Sequence, residues 1–216
     1  MKMDVNIMYD SGISKNEARA IITGIEQIME FFPGRQFINH ANKPWANGDY
    51  GSADWYVRHA SILSRSGKVQ LIADSILNLL DKEPWQRINP HIDVFFVSRD
   101  LTAEAGNGRF LNFCFGEARG RATVQSVARF RYLESDKKFL AIKTLVQHEL
   151  GHIFGLAADP ERSNTEFNLG NHCTNPGCVM RQALTAGDWT RNALESWRNE
   201  MIYCPQCMED ARKTKM

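Results

Sequence analysis

The stretch that most constrains the fold covers residues 137–156 and reads KKFLAIKTLVQHELGHIFGL. Its apolar side chains recur at helical spacing, which predicts a long helix that ends near Gly155. Residues four apart on a helix lie one above the other, so His148 and His152 project from one face. Glu149 follows the first histidine and is rotated away from that face. The sequence therefore predicts a helix that carries two ligands of one metal ion, with a carboxylate beside them.

The pattern HExxH also occurs by chance, and the two histidines would then be ordinary surface or core side chains. Three features favour the metal. Two histidines and a carboxylate would be costly to bury in an apolar helix without a partner. Gly151 gives up helix propensity of about 1 kcal/mol for space inside the motif. Gly155 permits a sharp turn that can bring a further ligand back to the site.

Two stretches carry a resemblance to a known family. The prefix HExxHxxG at residues 148–155 resembles the metzincin zinc endopeptidases, most of which place a third zinc-binding histidine three residues after the glycine. Ala158 occupies that position here, and alanine cannot bind zinc. The stretch HCTNPGCVM, residues 172–180, resembles the HCxxxxCxM of one metzincin branch, the archaemetzincins, in which a cysteine follows the third histidine at once.

The resemblance extends over most of residues 90–207. Residues 204–207 read CPQC, as the archaemetzincin pattern requires downstream of the HCxxxxCxM stretch. Upstream, residues 110–131 read FLNFCFGEARGRATVQSVARFR and resemble the strands that lead into that family's active-site helix. Before residue 90 the likeness is weak.

The resemblance implies two zinc ions per chain in different surroundings. The ligands of the catalytic ion would be His148, His152 and His172. The ligands of the structural ion would be Cys173, Cys178, Cys204 and Cys207. Three protein ligands leave one tetrahedral position for water, whereas four thiolates close the site. Glu149 would activate the zinc-bound water, and Met180 would be the methionine of the turn beneath the zinc.

Several alternatives stay open at this level. Asp159, one residue out of register, would also serve as a third ligand in place of His172. The cysteine pairs would otherwise form disulfides, or Cys204 and Cys207 a redox CxxC. Residues 156–171, inserted before His172, are polar and turn-forming, which predicts a surface loop that forms a substrate wall or a lid.

Charge and cysteine usage exclude some function classes. The chain has 26 Lys and Arg against 25 Asp and Glu, so its formal charge of +1 creates no field for nucleic acid or an anionic membrane. The start MKMDVNIMYD lacks a signal-peptide pattern, and no stretch is long enough to span a bilayer, which predicts a cytoplasmic protein. In a reducing compartment, paired cysteines indicate a metal site. Cys114 is expected to be a buried apolar residue. The histidines expected to be bystanders are His40, His59 and His91.

The order of apolar patterns predicts an α/β (α+β) fold. Its centre would be a metzincin-like, twisted mixed sheet of about five strands with the active-site helix packed on it, plus a small C-terminal helical part tied by structural zinc. Ser14 and Glu17 form a capping box that predicts the start of the first helix. Strands are predicted within residues 4–9, 35–40, 91–101, 109–118 and 122–133, further helices over 69–84 and 190–204, and an irregular segment over 41–67. One domain of residues 1–216 is expected, with the sheet and active-site helix in 1–156 and the C-terminal part in 157–216.

These features predict a zinc-dependent peptidase that hydrolyses peptide bonds. Its partner would be a peptide or protein substrate, extended along the strand RFLNFCFGE of residues 109–117 and held by backbone groups. The alternative is a catalytically silent, zinc-stabilised module that binds a peptide or protein. A thiol redox protein using Cys204 and Cys207 is a third possibility. Oligomeric state and cleavage preference are not encoded in these motifs.

Overall fold

The structure is a computed structural model, and it describes residues 3–33, 36–39, 50–106 and 108–213. His40 and residues 41–49 of the predicted irregular segment lie outside the described residues. The strands are β1 (Val5–Tyr9), β2 (Phe37–Asn39), β3 (Ile62–Arg65), β4 (Lys68–Ile72), β5 (Ile92–Val97), β6 (Leu101–Thr102), β7 (Glu104–Gly106), β8 (Arg109–Phe110), β9 (Gly116–Arg119), β10 (Ala122–Ser126), β11 (Thr165–Phe167) and β12 (Asn171–Cys173). The helices are α1 (Lys15–Phe31), α2 (Ala53–His59), α3 (Ala73–Asp81), α4 (Pro84–Ile88), α5 (Ser135–Ile153), α6 (Ala186–Arg198) and α7 (Pro205–Lys213).

A five-stranded mixed sheet forms the centre of the molecule, in the order β2-β1-β5-β10-β9. The first four strands are parallel neighbours, and β9 runs antiparallel to β10 at the edge. Every residue of β5 is buried, as expected for a central parallel strand covered on both faces. The predicted fold class, a mixed sheet of about five strands with packed helices, is confirmed.

Helices cover both faces of the sheet. Along β5, Val94 and Phe96 pack into a core that contains residues of α1 and α5. Phe95 and Val97 belong to a second core with residues of α2 and α3. This alternation follows from the two-residue period of a strand. The predicted active-site helix α5 is therefore packed directly on the central strands.

One local feature sets the start of α1, and another sets its packing against α5. The hydroxyl of Ser14 accepts a hydrogen bond from the Glu17 N–H, and the Glu17 carboxylate accepts one from the Ser14 N–H at 2.8 Å, so the predicted capping box is present. Gly24 lies where a Cβ would collide with the side chain of Val146. Only glycine lets the two helices come this close, and that contact holds the histidine-bearing helix α5 in place.

Two predicted elements differ in the N-terminal half. The predicted irregular segment contains α2 and β3, because Ser52 caps α2 by accepting a hydrogen bond from the Trp55 N–H. The predicted helix over 69–84 begins as strand β4 and becomes helical only at Ala73. Short apolar runs fit a strand as well as a helix, and pairing with β3 and β6 decides this one.

The predicted strand over 109–118 is split. Only β8 and β9 are strands, because the intervening backbone turns to residues 101–103: the N–H groups of Leu111 and Cys114 donate to the carbonyls of Ala103 and Leu101. The predicted fifth strand ends at Ser126 and is followed by a short 3-10 helix over Ala128–Phe130.

The C-terminal part also differs. The predicted last helix over 190–204 is α6, which begins at the capping box of Thr185 and Asp188 and ends at Arg198. The charged segment after residue 204 forms helix α7 as far as Lys213. Buried Cys207 and Asp210 anchor that helix, so tertiary contacts stabilise a strongly polar sequence.

Candidate metal centre

Three imidazoles meet at the end of α5. His148 and His152 extend from that helix and His172 from β12, and their ligand nitrogens all lie within 4.8 Å of one another. Ring centroids are 4.8 Å apart for His148 and His152, 5.2 Å for His148 and His172, and 5.1 Å for His152 and His172. The structure thus brings together the three histidines that the sequence singled out.

Backbone carbonyls orient two of the rings. The Nδ1 of His148 is 2.8 Å from the Val179 carbonyl oxygen, and the Nδ1 of His172 is 3.0 Å from that of Gly170. A carbonyl only accepts, so both Nδ1 atoms carry the hydrogen and each Nε2 presents a lone pair. Metal-binding histidines are commonly oriented in this way.

The electrostatics of the three rings fit a cation between them. Burial lowers the pKa of all three imidazoles, with His172 as a further cause for the other two, and the pKa of His152 falls to about 3. Neutral rings then face each other, with only 3.1 Å between the Nε2 atoms of His148 and His152. Donors bound to a tetrahedral zinc at about 2.0–2.1 Å are separated by about 3.3 Å, so this donor set suits zinc.

A β-hairpin places His172. The chain leaves α5 through Gly155 and Ala157, both with positive φ, of 77° and 56°. Strands β11 and β12 then pair in antiparallel register, with Glu166 opposite His172. The inserted residues 156–171 were predicted to be a surface loop; their second half is largely exposed, but it forms β11 and the start of β12. Asp159, the alternative ligand, accepts a hydrogen bond from the Glu161 N–H and lies outside the imidazole cluster.

Gly151 and Met180 pack together beneath the histidines. Met180 is fully buried, and a Cβ on Gly151 would lie 2.5 Å from its sulfur. The sequence predicted that Gly151 provides space, and the occupant of the space is this methionine. The close contact fixes the turn at residues 178–181 against α5, and that turn also supplies the Val179 carbonyl that orients His148.

Glu149 lies where the edge strand meets α5. A Cβ on Gly116 of β9 would come within 2.6–2.8 Å of three side-chain atoms of Glu149. The carboxyl is 7% exposed, and burial, followed by the nearby Glu117, raises its pKa to about 8. Such a group exchanges protons near neutral pH. Gly116 was not singled out by the sequence, because its contact with Glu149 joins two elements 33 residues apart.

A cleft of about 630 Å³ contains the three histidines and Glu149. Trp189 of α6 lines it and contacts His148 edge-on, with 5.1 Å between ring centroids. Leu169 and Leu184, 59% and 49% exposed, add apolar surface. Cys114 was expected to be buried, but it is partly exposed and lines this cleft. The site is therefore open to a ligand on one side.

Four thiols form a second cluster directly behind His172. The sulfurs of Cys173, Cys178, Cys204 and Cys207 lie within 4.8 Å of one another, and none of them is in a disulfide. The Cys173–Cys204 and Cys178–Cys207 sulfur distances are both 3.7 Å. Backbone N–H groups of Asn175 and Cys204 donate to the sulfurs of Cys173 and Cys178. Hydrogen bonds with the other three thiols lower the pKa of Cys204.

An ion pair that was not predicted from the sequence lies beside the cysteine cluster. Arg162, in the inserted segment, pairs with Asp210 of α7 at 2.7 Å, and both side chains are largely buried. The same guanidinium donates to the sulfur of Cys207 at 3.4 Å. A fixed positive charge beside the thiols favours thiolates, which is the form that binds a metal.

The remaining described histidines differ from each other. His59 is exposed and stacks on Trp55. His91 was expected to be a bystander, yet it lies in a buried group with Glu83 and Asp93 whose donor atoms are within 4.8 Å of one another. The sequence feature that could have predicted this group is the spacing of His91 and Asp93, because residues two apart in an extended chain share a face.

Known proteins resemble this chain in sequence. The archaemetzincin of Pyrococcus horikoshii is 29% identical over 134 residues, which cover 55% of this chain and 60% of that protein. The archaemetzincin of Methanopyrus kandleri is 32% identical over 111 residues, 50% of this chain and 51% of that protein. The matches thus span about half to three fifths of these relatives. No protein-family model matches the chain.

Solved structures share the fold. The crystal structure of the Methanopyrus kandleri archaemetzincin aligns with a TM-score of 0.64 at 21% identity, over 98% of this chain and 94% of that one. The Archaeoglobus fulgidus archaemetzincin, crystallised in complex with malonate, aligns with a TM-score of 0.61 at 19% identity, over 96% of this chain and 99% of that one. The chain is archaemetzincin-like in sequence and fold. Among the described residues, the helices are too short or too polar to cross a membrane.

Proposed function

We propose that this protein is a zinc-dependent peptidase. The observation that carries the proposal is the convergence of three neutral imidazoles next to buried Glu149 in one open cleft. His148, His152 and His172 would hold the ion. A zinc ion with one open coordination position polarises a carbonyl and lowers the pKa of water to about 7. The thiol cluster would hold a second, structural zinc.

Glu149 would transfer the proton of the reaction. Its carboxylate would accept a proton from the attacking water and return it to the departing amide nitrogen. The backbone of Gly116 lies against the side chain of Glu149, so the carboxyl has little freedom to move away from the cleft. Burial among Gly116, the histidines and Trp189 would exclude bulk water from this transfer.

Strand β9 would bind the substrate. It is the edge strand of the five-stranded sheet, and within the described part of the chain it pairs with β10 alone, on its inner side. An extended peptide added to the outer edge would run past Glu149 and gain backbone hydrogen bonds that do not depend on sequence. Leu169 and Leu184 would contact its side chains. The sequence predicted that residues 109–117 bind the substrate. The proposed binding strand is instead β9, Gly116–Arg119, which overlaps that segment at its last two residues.

A peptide-library assay tests the proposal. Wild-type protein loaded with zinc should cleave library peptides, and Glu149→Gln should reduce the rate about 10²- to 10⁴-fold, the usual contribution of a general acid–base. Metal analysis should show the same zinc content in both proteins. Glu26→Gln, on the exposed face of α1, serves as the matched control and should cleave at the wild-type rate. Fully zinc-loaded wild type that cleaves nothing would contradict the proposal and favour a silent peptide-binding module.

A further inference from the structure

A third group of side chains of the types that bind metals lies at the N-terminal end of β5. It consists of Glu83, just before α4, together with His91 and Asp93, and all three are buried, with exposures of 3%, 4% and 0%. Their donor atoms lie within 4.8 Å of one another. The group lies near the surface, because Trp85 and Ile88 of α4 are 38% and 83% exposed. It shares no residue with the cleft or the thiol cluster.

His91 is oriented like the histidines of the cleft. Its Nδ1 is 2.6 Å from the carbonyl oxygen of Asn89, so this nitrogen carries a hydrogen and Nε2 faces the carboxylates. The same Nδ1-to-carbonyl contact orients His148 and His172. A histidine anchored in this way presents its other nitrogen as a ligand.

The two carboxylate oxygens of Asp93 have different partners. The side-chain amide of Gln86 donates to Oδ2 at 2.7 Å and also to the His91 carbonyl oxygen. Oδ1 is buried and accepts no hydrogen bond; its neighbour is His91 Nε2 at 3.2 Å, an ion-pair distance when the imidazole is protonated. That separation is close to the spacing of about 3.3 Å between two donors on one tetrahedral zinc. A buried carboxylate oxygen without a hydrogen bond is costly unless a cation neutralises it.

We propose that Glu83, His91 and Asp93 form a binding site for a divalent transition metal of the zinc type. One imidazole nitrogen and two carboxylates are a ligand set that zinc accepts, with a fourth position left for water. Gln86 would orient Asp93 from outside the ligand shell. The ion would link the residue before α4 to the start of the central strand β5. The competing occupant is a proton shared by His91 and Asp93.

Native mass spectrometry with zinc as the only added metal tests the site. Wild type in excess zinc should carry one more ion than Asp93→Asn. His59→Gln is the matched control, because the Nδ1 of His59 also lies 2.8 Å from a backbone carbonyl but His59 belongs to no ligand cluster among the residues that the structure describes. It should bind as many ions as wild type. Equal zinc counts in wild type and Asp93→Asn would overturn the proposal.

A zinc-edge anomalous map of wild-type crystals soaked in zinc covers the case in which Asp93→Asn does not fold. A peak within bonding distance of Glu83, His91 and Asp93 is expected. Peaks at the cysteine or histidine cluster with none at this third position would show that only a proton lies between His91 and Asp93, and would overturn the proposal. Because the readout is the position of an ion and not hydrolysis, this result does not depend on whether the protein is a peptidase.

Discussion

The histidine cluster and the thiol cluster are neighbours with opposite designs. Both bring ligand atoms within 4.8 Å of one another. The imidazoles line a cleft beside Glu149, whereas the four cysteines are at most 2% exposed and face one another. Three donors with an open side suit chemistry on a ligand, and four enclosed donors suit stabilisation. The comparison shows how one segment of the chain serves both purposes.

Strand β12 connects the two clusters. His172 and Cys173 are consecutive residues, so a strand directs their side chains to opposite sides. The imidazole enters the cleft while the thiol joins the cysteine cluster. The N–H of Cys173 also donates to the carbonyl of Met180, which ties the strand to the turn beneath the histidines. An ion in the thiol cluster would therefore hold the third imidazole in position.

The largest effect is expected from breaking the thiol cluster. Cys207→Ser removes one of four enclosed ligands, and loss of a structural metal should lower the free energy of unfolding by about 4 kcal/mol or more. For a chain of this length that corresponds to a fall in Tm of about 8–16 °C. Thermal unfolding measures it. Cys114→Ser, outside the cluster, should change the free energy by about 1 kcal/mol or less. Equal Tm values for Cys207→Ser and wild type would exclude a structural ion.

A smaller effect, confined to the cleft, is expected from Gly116→Ala. The new methyl group would meet the flexible end of Glu149 and move the carboxyl, and a displacement of about 1 Å costs about 10²-fold in rate. The measurement is kcat on a cleaved library peptide, with zinc content and Tm recorded in parallel. Gly187→Ala, at a helix position where the nearest atom is 3.6 Å away, is the matched control. A Gly116→Ala variant with wild-type kcat would contradict the proposal that the edge strand positions the carboxyl of Glu149.

The smallest effect is expected at the contact beneath the histidines. In Gly151→Ala the methyl group would press on the sulfur of Met180, and overpacking costs about 1–3 kcal/mol. The gain in helix propensity offsets about 1 kcal/mol of that. A net loss of about 1 kcal/mol, or about 2–4 °C in Tm, follows. Gly187→Ala keeps the propensity gain without the clash and should be slightly stabilised, and an equal gain in both variants would contradict the packing role of Gly151.

The parts of the fold and the site that could be predicted from the sequence depend on residues close together in the chain. The spacing of His148 and His152, the capping box at Ser14 and the two cysteine pairs need only neighbouring residues. Contacts between distant elements could not be predicted in this way. The approach of Gly116 to Glu149 and the pairing of Arg162 with Asp210 arise only when the sheet and helices are packed.

The misassigned elements have a related cause. Residues 69–72 are apolar enough for a helix, but pairing with two neighbouring strands makes them β4. Helix α7 is polar along most of its length, so only its buried Cys207 and Asp210 explain its order. His91 was predicted to be a bystander because no ligand spacing was recognised near it, yet the fold places Glu83 and Asp93 beside it. In each case tertiary contacts, and not the local pattern, decide the outcome.

Cobalt substitution with a chelating probe tests the difference between the two clusters most directly. Protein in which cobalt replaces zinc should show d–d absorption from a histidine-bound ion and charge-transfer bands from thiolate-bound cobalt. Acetohydroxamate, a small metal chelator, should shift the d–d absorption and leave the thiolate bands unchanged, because only the histidine cluster opens to the cleft. A histidine-bound ion that does not respond to the probe would contradict an open coordination position, and a change in the thiolate bands would contradict a closed one.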